Sequence, residues 1–100
     1  MLTIIKTQTP NFELGKIFIN PREALNIGDS RADFINDRDE ILFNYEYTDS
    51  YGNGSWISEK TLMNYELGKN IPTLKMLKRL AAAYEVDTID LIKEVLPFID

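Results

Sequence analysis

At 100 residues and 44% hydrophobic content, the chain is sized for a single small domain, residues 1–100, with a modest core. It has no cysteine and no histidine. That excludes disulfides and thiolate zinc sites and removes the commonest general base, so neither metal nor cofactor is expected. A net charge of −5 counts against binding to DNA, because most DNA binders carry a basic footprint.

In chain order, residues 2–7 alternate and are rich in β-branched side chains, which allows a short N-terminal strand. Thr9-Pro10-Asn11 breaks it. Over Phe12–Leu25, Leu14, Ile17, Phe18 and Leu25 form a helical face, but Pro21 inside that run should kink or end the helix. In residues 37–56, Ile41, Phe43, Tyr45 and Tyr47 alternate with Leu42, Asn44 and Glu46, a period-two pattern. Gly52-Asn53-Gly54 is turn chemistry, and Ser55-Trp56-Ile57 offers a returning run. The segment reads as an inserted β-hairpin or loop. The alternative is a second helix extended through Asp39-Glu40 into Phe43.

Residues 58–74 are the most informative. Ser58 can cap a helix that begins at Glu59. Leu62 and Tyr65 share one face of it. Gly68 suits the left-handed residue that ends a helix, and Pro72-Thr73 opens the next. Spacing assigns Leu62, Tyr65, Leu74, Leu77, Leu80, Ala81, Val86, Ile89 and Ile92 to the core. Pro97 should end the last helix. Residues 93–100 then form a C-terminal apolar tail (Val95, Leu96, Phe98, Ile99) that either supports a dimer or folds back on the monomer.

The series Ser58, Thr61, Leu62, Tyr65, Glu66, Gly68, Lys69, Pro72, Thr73, Leu74, Leu77, Leu80 and Ala81 resembles the recognition helix and following helix of lambda-repressor-like (XRE-type) helix-turn-helix domains. The resemblance runs over roughly residues 57–92 and continues through Tyr84–Ile92 into the family's last helix. Gly15 to Arg22-Glu23 and Ser30–Ile35 resemble its first two helices more loosely, and by that resemblance Ser30 is the cap of the second helix and Phe34 its core residue. Pro21, the extra Gly28-Asp29 and about twenty residues between Asn36 and Trp56, where the family has a short turn, are departures.

The resemblance implies a mainly α fold: a helix-turn-helix domain of about five short helices, carrying the small inserted hairpin and the N-terminal strand. It implies sequence-specific binding of double-stranded DNA as a homodimer, and transcriptional regulation, repressor-like, of a bacterial, phage or mobile-element operon. Residues at the start of a recognition helix reach base edges. Lys60 could then donate to guanine, Asn64 pair with adenine, and Glu59 accept from cytosine. Thr61, Lys69 and Lys75 are phosphate contacts by the same resemblance, with Arg31 as a further one. The bland reading makes Glu59, Lys60 and Asn64 exposed helix residues without a ligand, with Glu59 merely favourable at the positive end of the dipole. Glu66, unfavourable near a helix C-terminus, needs a compensating partner, for which Arg31 is suited.

From Ser58 to Leu80, five basic residues stand against Glu59 and Glu66, while acid clusters before and after. The other functional class is therefore a protein-binding module on the same fold, such as an antitoxin or a transfer or recombination accessory factor. Its partner would meet the acidic aromatic insert 37–56, unless those aromatics simply fill a small core. Catalysis is not expected. Asp37, Asp39 and Glu40 are adjacent acids on a polar segment, and Gly52-Asn53-Gly54 is too short for a phosphate loop. No apolar run suits a membrane span and Met1–Lys6 is too short for a signal peptide, so a soluble, cytoplasmic protein is expected.

Overall fold

The computed structural model describes residues 10–25, 31–38, 40–42, 47–48 and 54–99. Their architecture is mainly helical, with five α-helices among the described residues. The N-terminal strand expected over residues 2–7, the Ser30 cap and half of the insert lie outside them.

Helix α1, Phe12–Ala24, starts where Asn11 Oδ1 accepts the Leu14 N–H at 3.1 Å. Leu14 and Phe18 are buried on its inner face, and Gly15 lies between them. Of the two outcomes expected at Pro21, a kink or an end, the helix does not end there. It forfeits only the bond that its missing N–H would give the Ile17 carbonyl. The last turn closes with Leu25 N–H on the Pro21 carbonyl at 3.3 Å and is pinned by an ion pair from Arg22.

Helix α2, Arg31–Arg38, buries Phe34, Ile35 and Arg38. It ends at Arg38 and residues 40–42 form a turn, so the described part of the extended second helix is not helical; Asp39 and Phe43 of that alternative lie outside the described residues. Of the hairpin expected in 37–56, the described residues hold only a two-residue antiparallel ladder, β1 (Tyr47–Thr48) against β2 (Gly54–Ser55). That fragment falls short of the expected hairpin.

Helix α3, Glu59–Glu66, is capped by Ser58, whose Oγ accepts from the Thr61 N–H at 3.1 Å. It stops at Gly68, with φ +73°. There the Gly68 N–H meets the Tyr65 carbonyl and the Lys69 N–H meets the Asn64 carbonyl, each at 2.9 Å. This is the paired closure that a left-handed residue permits. Gly68 and Gly15 also let backbones touch. A Cβ on Gly15 would overlap the Glu66 carbonyl oxygen, and one on Gly68 would overlap the Asn11 carbonyl. The Asn11 N–H in turn bonds to the Gly68 carbonyl at 3.2 Å.

Helix α4, Leu74–Tyr84, is capped by Thr73, and α5, Thr88–Val95, by Asp87. A 3-10 turn, Leu96–Phe98, follows with Pro97 inside it. Three residues assigned to the core by spacing are exposed: Leu74 (70%), Ile89 (58%) and Val86 (40%). Ile89 sits about 200° around the helix from buried Leu91. Leu74 does follow the stripe of Leu77, but periodicity gives a side chain's direction, not whether a neighbour extends far enough to cover it. The apolar tail divides. Val95 is buried and Phe98 packs against the core, while Leu96 and Ile99 remain exposed.

The core is held by aromatic contacts. Phe34 stacks on Tyr84 with ring centres 5.5 Å apart and meets Trp56 edge-on at 6.5 Å. Phe18 tilts against Tyr65 at 5.8 Å. Pairs of this kind add roughly 0.5–1.5 kcal/mol each beyond burial. Trp56, Leu42 and Ile57 from the insert are thus core residues.

Candidate functional site

Glu66 is the centre on which α1, α2 and α3 converge. Its side chain is fully buried and accepts from Arg22 through Nε (2.6 Å) and Nη2 (3.0 Å), a two-pronged fork. Arg31 adds a third bond through Nε at 2.8 Å. Charge-assisted bonds of this geometry fix orientation as well as supplying energy. Arg31 compensates Glu66 as the sequence suggested; Arg22 was given no role there. A signal was present: Arg22 lies seven residues, two turns, after Gly15, so it shares the face that meets the end of α3.

With α3 fixed from within, its outer face is defined. Glu59 and Lys60 are exposed, and Thr61, Met63, Asn64 and Leu67 are half-buried. Lys60, Met63, Asn64 and Leu67 follow i, i+3, i+4, i+7 spacing and form one outward stripe. Thr61 contributes less to a surface, because its Oγ1 accepts from Ser58 Oγ at 2.8 Å. Lys69, just past the Gly68 stop, and Lys75 and Lys78, near the start of α4, are exposed. Arg31 points its Nε inward to Glu66 and keeps 30% of its side chain accessible.

Burial of Glu66 changes the local electrostatics. Its charge is matched internally, so Lys60, Lys69, Lys75 and Lys78 share the solvent-facing part of this segment with Glu59 as the exposed acid. Behind them lie two protonated tyrosines. Burial pushes the Tyr84 hydroxyl well above its ordinary value, with the Glu66 carboxylate adding to the shift and the Arg22 guanidinium opposing it. Burial also raises Tyr65.

A second ion pair ties α2 to the end of α4. Arg38 Nη1 donates to Glu85 Oε2 at 2.9 Å, and Glu85 holds the left-handed conformation (φ 61°) usually left to glycine.

Among the described residues, no group of three or more His, Cys, Asp or Glu side chains is placed to hold a metal ion. No helix among them is long and apolar enough to cross a membrane. No family model, curated protein or solved structure matches the chain.

Proposed function

We propose that the chain is a sequence-specific DNA-binding regulator of the lambda-repressor-like helix-turn-helix kind, with α3 as the helix that enters the major groove. The observation that carries this reading is the neutralisation of Glu66 by Arg22 and Arg31. It orients α3 rigidly and leaves a lysine-rich surface around it despite the overall charge of −5. Lys60 and Asn64 are the base readers on the outward stripe, with Glu59 beside them. Lys69 and Lys75 contact phosphates, Arg31 contributes its exposed remainder, and Thr61 serves chiefly to hold the cap. Ile89, Leu96 and Ile99, all exposed, supply apolar surface for a homodimer on a palindromic site. The role is repression of an operon in a bacterium, phage or mobile element. The rival reading, a protein partner on the insert, loses Trp56 and Leu42 as contacts because both are buried.

A salt-dependent titration tests this, using the DNA upstream of the chain's own coding sequence and an unrelated duplex. Lys60→Ala and Asn64→Ala should each weaken the specific complex by about 1–3 kcal/mol and erase part of its preference. Lys75→Ala should weaken both duplexes alike and lower the salt slope by about one. Equal affinity for the two duplexes, untouched by Lys60→Ala and Asn64→Ala, would refute the reading.

A further inference from the structure

A groove of about 310 Å³ lies between α1 and α5, away from the stripe just described in its lining residues. Its apolar lining is Ile17 and Pro21 from α1 with Val86 and Leu91 from the α4–α5 turn and α5. Glu13, Asn20 and Glu94 supply its polar rim, with Lys16. The α1 lining residues Glu13, Lys16, Ile17, Asn20 and Pro21 share one helical face, so the groove runs along the helix rather than pitting it.

The charge of this lining leans acidic. Glu13 and Glu94 are acceptors, Asn20 offers an amide oxygen beside its NH2, and Lys16 is the single cation in the lining. Pro21 has no N–H, so the helix supplies no i+4 donor to the Ile17 carbonyl in the same wall. The Lys16 ammonium is held by Glu13 at 3.5 Å, an exposed and weak pair. Around the groove the chain continues acidic, with exposed Glu85, Asp87 and Asp90. An apolar floor beneath a rim of acceptors fits a long side chain with a donor-rich cationic head, which buries its stem and keeps its charge at the rim.

We propose that the α1–α5 groove docks an arginine- or lysine-bearing peptide segment of a partner protein. The stem lies on Ile17, Pro21, Val86 and Leu91, and the head bonds Glu94 and Glu13, displacing Lys16. A guanidinium suits the site better than an ammonium, because its planar fork can address a carboxylate with two bonds. This reading is independent of what α3 binds.

The test uses the full chain and a short fluorescein-labelled, amidated peptide of leucine, alanine and arginine, with a control in which glutamine replaces arginine. Anisotropy gives affinity, and backbone-amide NMR shifts give location. The arginine peptide should bind and move the amides of residues 13–21 and 86–94, and the glutamine peptide should not. Glu94→Lys should weaken binding about tenfold or more. Lys16→Ala should tighten it about threefold, since it frees Glu13 and removes a like charge. That gain cannot arise from damage to the fold. Both side chains are exposed, so circular dichroism should be unchanged. Equal binding of the glutamine peptide would overturn the proposal, as would shifts centred elsewhere or no gain from Lys16→Ala. Concentration-dependent self-association that moves the same amides would assign the groove to a second copy instead.

Discussion

Replacing Glu66 by glutamine would preserve its shape and remove the charge that joins three helices. Two guanidinium groups would then face an amide that can satisfy at most one of them well, and whose NH2 points donor against donor. Arg22 is 12% and Arg31 30% accessible at the side chain, so water replaces the lost carboxylate poorly for the first and better for the second. Removing one partner of a buried pair typically costs about 3–5 kcal/mol. The surviving amide oxygen and the partial exposure of Arg31 put Glu66→Gln near the lower end, about 3 kcal/mol. For a domain of this length each kcal/mol lowers Tm by about 4–8 °C, so a fall of roughly 12–24 °C is expected. Thermal and urea melts followed by far-ultraviolet circular dichroism and by Trp56, the sole tryptophan and a core residue, would measure it with two probes. Arg22→Ala should cost more than Arg31→Ala, and a cycle with Glu66→Ala should give a coupling above about 1 kcal/mol for the Arg22 pair. A loss below about 1 kcal/mol for Glu66→Gln would refute the idea that this cluster orients α3.

Gly15→Ala should cost about 1–3 kcal/mol, because its methyl group meets the Glu66 carbonyl and α1 must move off α3; urea denaturation checks it. Glu85→Ala loses the Arg38 ion pair and keeps the left-handed strain, whereas Glu85→Gly loses the pair and relieves the strain. The glycine variant should therefore be the more stable of the two by about 1 kcal/mol. Tyr84→Phe deletes a buried hydroxyl that has no hydrogen-bond partner among the described residues, and should leave stability at neutral pH unchanged or raised by up to about 1 kcal/mol. The same tyrosine sets an alkaline limit. Unfolded it ionises near 10.0 and folded well above that, so above pH 10 the unfolded state binds fewer protons and stability falls as pH rises. The slope is about 1.4 kcal/mol per pH unit per tyrosine until the folded hydroxyl itself ionises. Urea midpoints from pH 8 to 11 should show a shallower decline in Tyr84→Phe.

What the sequence disclosed was local chemistry. Ser58, Thr73 and Gly68 act within three or four residues of themselves, so their capping roles could be named before any fold was known. The inner face of α3 followed from spacing for the same reason. α1 does not end at Pro21 because tertiary contact supports what local propensity disfavours: Arg22, next in the chain, reaches 44 residues to Glu66 and holds that turn. Leu74, Val86 and Ile89 went astray because apolar character cannot report the absence of a neighbour. Trp56 was ambiguous in a polar, aromatic segment, and only its contact with Phe34 settles it into the core. For the candidate interface, Lys60, Asn64 and the need of Glu66 for a partner were legible. The part of Arg22 was not named, because it reaches Glu66 across 44 residues of chain.

The charge arrangement has a consequence for the two proposed surfaces together. A chain at −5 approaches DNA against a repulsive field, while Lys60, Lys69, Lys75 and Lys78 attract at contact. The three phosphate contacts proposed, Lys69, Lys75 and Arg31, alone would give a salt slope of about −2.7. Long-range repulsion is screened over about 10 Å at 0.1 M salt, so added salt relieves it while weakening the contacts, and the measured slope should be shallower than that. A cationic peptide held in the α1–α5 groove would neutralise part of the acid near Glu13 and Glu94 and raise DNA affinity. By reciprocity, DNA would raise peptide affinity by the same factor. The coupling should be several-fold at 50 mM salt and fade by 200 mM, because nothing but charge connects the sites in this argument. Measuring DNA affinity with and without the arginine peptide at both salt concentrations decides the matter. Coupling that persists at high salt would mean that the peptide shifts α1 against the Glu66 cluster, and the Glu66→Gln variant, in which that cluster is broken, should then lose it.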